Sequence, residues 1–247
     1  MTPVHAARAT GVATITLDSP ANRNALSADL VAALRAALAD AGADPAVRAV
    51  VLTHTGTTFC AGADLRSPCD PADFLALLRE IAELPKPVVA RVTGHVRAGG
   101  LGLLGVCDIA AAGPQSSYAF TETHLGLAPA VISIPLLPRL DPRAASRYFL
   151  TAEAFDAAEA TRIGLLTLHA DPEGDVDAVL APVLDGLRKA SPQGLAATKS
   201  LTAAAVREAV ARDGARLTEL SAGLFASDEA REGITARFER RNPTWAL

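Results

Sequence analysis

The stretch from Arg97 to Glu122 constrains this chain more than any other. It holds an Ala-Gly-Gly turn (Ala98, Gly99, Gly100), a short apolar segment reaching Val106, then Cys107-Asp108-Ile109, and finally a lone carboxylate, Glu122. The turn follows Val88 to Thr93, and a second glycine turn, Cys60-Ala61-Gly62-Ala63-Asp64, lies downstream of Val47 to Thr53. Short apolar, β-branched runs of this kind read as buried strands. Loops at the carboxyl ends of strands are where α/β proteins gather ligands. Two such turns can aim two backbone N–H groups at one point, and pre-oriented donors in a site with little water hold the charge that builds on a carbonyl oxygen. Gly99 also heads a helix, where N–H groups lack acceptors and the dipole favours negative charge. A carboxylate nearby can move the proton.

Gly100-Leu101-Gly102-Leu103-Leu104-Gly105 matches the GxGxxG fingerprint of dinucleotide sites. That fingerprint requires a crossover of about a dozen residues before the next strand, then an acidic residue about 20 positions on. Here the next apolar run, Ile109 to Ala112, starts four residues after Gly105. The geometry fails, and the glycines are better explained as letting a helix pack closely on a sheet.

The rest of the chain alternates strands and helices, which gives an α/β fold. Val12 to Leu17 alternates as a strand. Ser27 is an N-cap for a helix carrying Leu30, Val31, Leu34 and Leu38. Leu65 to Pro71 reads as a loop over the pocket, Ala72 to Leu84 as a helix with Phe74, Leu77, Leu78 and Ile81 on one face. Leu136 to Gly164 reads as helix, a break at Asp141-Pro142, and helix again. Leu165 to His169 reads as a last strand, Val176 to Ala190 as a helix, and Gly194 to Arg241 as a helical tail after the break at Ser191-Pro192. This places a core domain at 1–190 and a C-terminal helical region at 191–247.

Several of these segments, taken in order, resemble the crotonase (enoyl-CoA hydratase/isomerase) superfamily. They are Asn22-Arg23-Asn24-Ala25-Leu26-Ser27, Ala61-Gly62-Ala63-Asp64, Lys86-Pro87-Val88-Val89-Ala90, Gly99-Gly100 through Cys107-Asp108-Ile109, Glu122 to Leu127, and Ser227 to Gly233. The resemblance implies a crotonase-like spiral of ββα turns with a C-terminal helical trimerisation region, and hence a homotrimer or homohexamer. It implies an acyl-CoA thioester as substrate, an oxyanion hole from the amides of Ala63 and Gly99, and Glu122 as the proton carrier. The CoA would lie near Arg23 and the Ala61 to Ala63 turn, with Arg240 or Arg241 of the tail as further candidates for its phosphates. No cofactor beyond the CoA of the substrate is implied.

Two departures matter. Hydratases of this family that use two carboxylates carry the first at the position of Gly102, so one acid/base group is missing. His95, His124, Asp64 and Arg97 are polar candidates to assist, each with a structural or solvent-facing alternative. After Glu122 the chain runs Gly126-Leu127-Ala128-Pro129-Ala130-Val131-Ile132-Ser133, similar to a bacterial subgroup of methylglutaconyl-CoA-type hydratases, and Val131 and Ile132 should narrow the acyl pocket. Arg97 could pair with a second substrate carboxylate or a CoA phosphate. The expected activity is hydration of an α,β-unsaturated acyl-CoA. The alternatives are a Δ3,Δ2-enoyl-CoA isomerase, or a catalytically silent CoA-binding protein of the same fold.

Composition narrows the remaining classes. Hydrophobic residues make up 50% and charged residues 20%, with a net charge of −4, a globular profile with no electrostatic reason to bind nucleic acid. Cys60, Cys69 and Cys107 have no paired spacing that suggests a disulfide frame or zinc site. Met1 to Thr10 lacks a charged lead before an apolar stretch, and no run of about 18 apolar residues occurs. The expectation is a cytoplasmic protein with no membrane or nucleic-acid partner.

Overall fold

The computed structural model describes residues 2–247. Its elements run β1 (Val4–Ala9), β2 (Val12–Leu17), α1 (Ala28–Ala43), β3 (Ala49–His54), β4 (Thr58–Cys60), α2 (Pro71–Glu83), β5 (Val88–Val92), β6 (His95–Arg97) and α3 (Gly99–Val106). They continue β7 (Ile109–Ala112), β8 (Ser117–Ala119), α4 (Ala130–Leu136), α5 (Pro142–Thr151), β9 (Phe155–Asp156), α6 (Ala157–Arg162) and β10 (Leu168–His169). Four helices end the chain: α7 (Val176–Lys189), α8 (Pro192–Thr202), α9 (Ala204–Phe225) and α10 (Asp228–Glu239).

Two sheets organise the molecule. The larger has six strands in the order β1-β2-β3-β5-β7-β10, and the smaller has four in the order β4-β6-β8-β9. In the larger sheet only β1 is antiparallel to its neighbour. β3 is buried along its whole length, as a parallel strand covered on both faces must be. Its residues divide by the strand's period of two. Val50 and Leu52 join the main core with Val88, Ala90 and Val92, while Val51 joins Val89, Ala111, Val176 and Leu180 beneath α7.

Helix starts follow the sequence. The Ser27 side chain accepts from Leu30 N, and Asp70 caps α2 by accepting from Ala72 N. The segment expected to begin as helix at Leu136 instead begins at Ala130, directly after Pro129, and pauses at Ala152 with φ +54° before β9. The strand expected over 165–169 is reduced to Leu168–His169, because the Leu165 and Leu166 amides both turn back to the Ala160 carbonyl. In the tail, Val206, Ala209, Val210 and Leu217 of α9 join the same core cluster as the sheet. Among the described residues no helix is long and apolar enough to cross a membrane.

One buried ion pair ties the tail to the sheet. Lys199 of α8 is 4% exposed and reaches Asp108 Oδ2 at 2.8 Å, and its ammonium also donates to the Ile81 and Lys86 carbonyls at 2.7 and 3.0 Å. Asp108 Oδ2 in turn accepts from Val88 N at 2.7 Å. Removing one member strands the other charge in the interior, so Lys199→Met should cost about 3–5 kcal/mol. A fall in the urea midpoint at unchanged m-value is the expected readout; a midpoint that stays put would contradict it.

Candidate active site

The small sheet builds the site. β4, β6 and β8 are parallel neighbours, with Cys60 opposite Val96 and Arg97 opposite Ala119. Their carboxyl ends therefore lie side by side. Just past those ends come Ala63, Gly99 and Glu122, the three residues singled out in the sequence for chemistry.

The two glycine turns touch. A Cβ added to Gly99 would lie 3.6 Å from Ala63 N, and one added to Gly62 would lie 3.2 Å from Gly99 N. Gly62 sits at φ +91°, a conformation side chains rarely adopt, so glycine is required there both by the backbone and by the neighbouring turn. On the other turn Ala98 holds φ +46° and ψ −121°, a strained conformation for any residue with a Cβ. Its amide is fixed to the Ala119 carbonyl at 3.2 Å and its carbonyl to Leu101 N at 2.8 Å.

Leu26 joins the turns. It forms a parallel bridge with Ala63, in which Leu26 N donates to Gly62 O at 2.8 Å and Asp64 N donates to Leu26 O at 3.3 Å. The residues flanking Ala63 carry these bonds, so the Ala63 N–H points the other way. Gly99, as the first residue of α3, has no intrahelical acceptor for its N–H. Two unclaimed amides thus sit on touching turns. Asn24, fully buried, supports the Leu26 segment from below: its side chain donates to the Thr55 and Thr58 carbonyls and accepts from Ser19 N.

Glu122 opens a 3-10 turn, Glu122–Leu125, that follows β8. It is 8% exposed, and its Oε2 is buried without a hydrogen-bond partner. Burial pushes its carboxyl up to about 7, because an uncompensated charge is costly to desolvate. Such a group exchanges a proton readily near neutral pH.

The position of the missing carboxylate is filled from the side. A Cβ on Gly102 would lie 2.7 Å from Ile132 Cγ2 and 2.9 Å from Ile132 Cβ. Gly105, one turn on, receives Leu136 in the same manner, with Cδ2 2.6 Å from its would-be Cβ. Gly102 and Gly105 therefore accept side chains of helix α4 rather than a sheet, while Gly100 packs on Cys60, and no side chain can occupy position 102 without moving α4.

The other polar candidates find structural partners or face solvent. Asp64 accepts from Asn22 Nδ2 and from the Arg66 and Ser67 amides. Arg97 donates to the Val96 and Ser117 carbonyls and the Ser117 hydroxyl, while burial and then the nearby Arg237 charge push its pKa down. His95 shares Ser117 Oγ at 2.9 Å, and His124 is exposed. Arg23 is exposed beside the first turn, its carbonyl accepting from Ala61 N at 3.1 Å. Arg241 is bound to Glu232 and Glu239 of its own chain. Among the described residues no group of three or more His, Cys, Asp or Glu is placed to hold a metal.

The family model described as enoyl-CoA hydratase/isomerase matches residues 7–246. The chain is 32% identical over 245 residues to a crotonyl-CoA hydratase of Syntrophomonas wolfei, covering 93% of this chain and 92% of that one. The crystal structure of an enoyl-CoA hydratase from Mycobacterium avium superposes with a TM-score of 0.93 at 53% identity, over 100% of both chains. A carnitinyl-CoA hydratase structure from the same species gives a TM-score of 0.87 at 27% identity, over 99% of this chain and 98% of that one.

Proposed function

The chain belongs to the enoyl-CoA hydratase/isomerase family, and on that premise we propose that it adds water across the α,β double bond of an acyl-CoA thioester. Glu122 is the one side chain that moves protons, and the amides of Ala63 and Gly99 form the oxyanion hole. The observation that carries this reading is the buried Glu122 carboxylate, its Oε2 without a partner among the described residues, at the strand ends where those two amides lie.

The chemistry follows from that arrangement. Ionised Glu122 takes a proton from water as the water oxygen bonds to the β-carbon. The π electrons move toward the thioester carbonyl, and the charge on its oxygen is held by the two amides, which need no reorganisation at that moment. Glu122, now protonated, gives the same proton to the α-carbon. Water and thioester alone balance the reaction. Arg23, exposed and joined to Ala61 through its main-chain carbonyl, carries a guanidinium suited to a CoA phosphate. Self-association as a trimer or pair of trimers is part of this proposal and rests on the family membership alone.

The packing of Ile132 on Gly102 favours a second reading. With no second carboxylate to orient water, one glutamate suffices to carry a proton from the γ- to the α-carbon, which is double-bond isomerisation. A panel of short straight-chain, 3-methylglutaconyl and β,γ-unsaturated CoA thioesters, with products resolved by mass, separates the two. Gain of one water by an α,β-unsaturated substrate supports hydration; migration of the double bond at constant mass supports the isomerase. Ligand binding without any turnover would overturn both and leave a silent CoA-binding protein.

A further inference from the structure

We infer that the C-terminal helix α10 is the element that positions Glu122, through a backbone-to-backbone contact made at Gly233, and this rests on Glu122 being the proton carrier. Among the described residues no group holds Glu122 Oε2, so its aim is set by the backbone that carries it. That backbone is a 3-10 turn closed by the Leu127 N–H to Glu122 O bond at 3.0 Å and by Gly126 in the left-handed region, φ +69°. α10 lies directly on this turn. A Cβ on Gly233 would stand 2.6 Å from both C and O of Leu125 and 2.7 Å from its Cα. Reciprocally, a Cβ on Gly126 would stand 2.6 Å from Glu229 C and 2.9 Å from Ala230 N. Two glycines facing each other's main chains bring helix and turn closer than any side chain would permit. The fully buried Ala230 and the nearly buried Ala236 extend the contact along the same face of α10.

α10 is itself held firmly. Ser227 Oγ caps its first turn by accepting from Ala230 N at 3.1 Å. At its far end Arg241 grips both oxygens of Glu232, at 2.6 and 2.8 Å. The helix is thus braced along its own length where it backs the Glu122 turn, and Gly233 is a positioning residue. A methyl group at Gly233 must meet main-chain atoms, which cannot swing aside, so helix and turn must part by roughly 1 Å. A displacement of that size away from the chemistry can cost about 10²-fold in rate.

The test is Gly233→Ala on the full chain, with Glu122→Gln run beside it. Per folded molecule, kcat should fall by roughly 10- to 100-fold with little change in KM for the thioester. A folded Gly233→Ala enzyme with unchanged kcat overturns the proposal. Activity retained by Glu122→Gln would instead overturn the role of Glu122 itself, a separate failure. Should Gly233→Ala not fold, Ser227→Ala loosens α10 without a clash. Hydrogen exchange at the α10 amides should then rise roughly fivefold, the effect of losing one N-cap, and the Gly126 and Leu127 amides should rise with them. Faster exchange in α10 alone, with the Glu122 turn unaffected, would sink the idea.

Discussion

Glu122→Gln is expected to lower turnover by roughly 10²- to 10⁴-fold, the range for loss of a positioned acid/base group, and to remove a pH dependence from stability at the same time. In the folded chain burial raises the Glu122 carboxyl from its ordinary 4.5 to about 7. Between those values the folded state holds a proton that the unfolded state has released. The stabilisation is complete below about pH 4.5 and is lost as pH rises through about 7. At about 1.4 kcal/mol for each tenfold change in proton affinity, the loss is on the order of 3 kcal/mol. Chemical denaturation at pH 5.5 and pH 8.5 should therefore show a smaller alkaline loss in Glu122→Gln than in the natural protein. The hydration rate of the natural enzyme should also fall below about pH 7 and level off above it, because the reaction starts from ionised Glu122. Equal alkaline losses in the two proteins would show that Glu122 is not held in the buried state described. Undiminished turnover in the variant would remove it from the chemistry.

Gly62→Ala should be the most damaging single methyl group near the proposed oxyanion hole. The new Cβ would sit 2.7 Å from Ala98 Cβ and 3.2 Å from both Arg97 O and Gly99 N, and the residue would have to hold φ +91°. The conformational strain alone costs about 1–3 kcal/mol. The two turns can relieve the clash only by separating, which withdraws one amide from the proposed hole. Loss of one oxyanion-hole donor costs about 10²- to 10³-fold in kcat. We expect a folded but weakened enzyme whose kcat per folded molecule falls by that factor, while Glu122 keeps its raised pKa in a pH–rate profile. An unchanged kcat would mean that the Ala63 and Gly99 amides are not the donors.

The raised pKa of Glu122 and the closeness of the turns were legible to different degrees. Phe120 and Leu125 to Leu127 flank Glu122 in the chain, and apolar neighbours of that kind favour burial. The glycines at 62 and 99 pointed to two turns at strand ends. Strands β2, β3, β5 and β7 of the larger sheet could be read from their apolar runs, and α1 and α2 from periodicity and their caps. β1 carries no such signal because it is an exposed edge strand: only Val4 of its six residues is buried, so it has no apolar alternation to read.

The small sheet was illegible for another reason. β4, β6 and β8 are three residues each, too short to show any period. Yet their pairing is what sets Ala63, Gly99 and Glu122 on one edge. The same holds for Leu26 bridging the two turns, for Ile132 lying where a side chain at 102 would go, and for Gly233 against the Leu125 backbone. The sequence by itself determined the local pieces: which segments are strand or helix, where the backbone must turn, and which single carboxylate could carry a proton. Only the tertiary structure decided that these pieces meet, because a strand pair or a glycine contact between residues far apart in the chain leaves no mark in either segment's own periodicity.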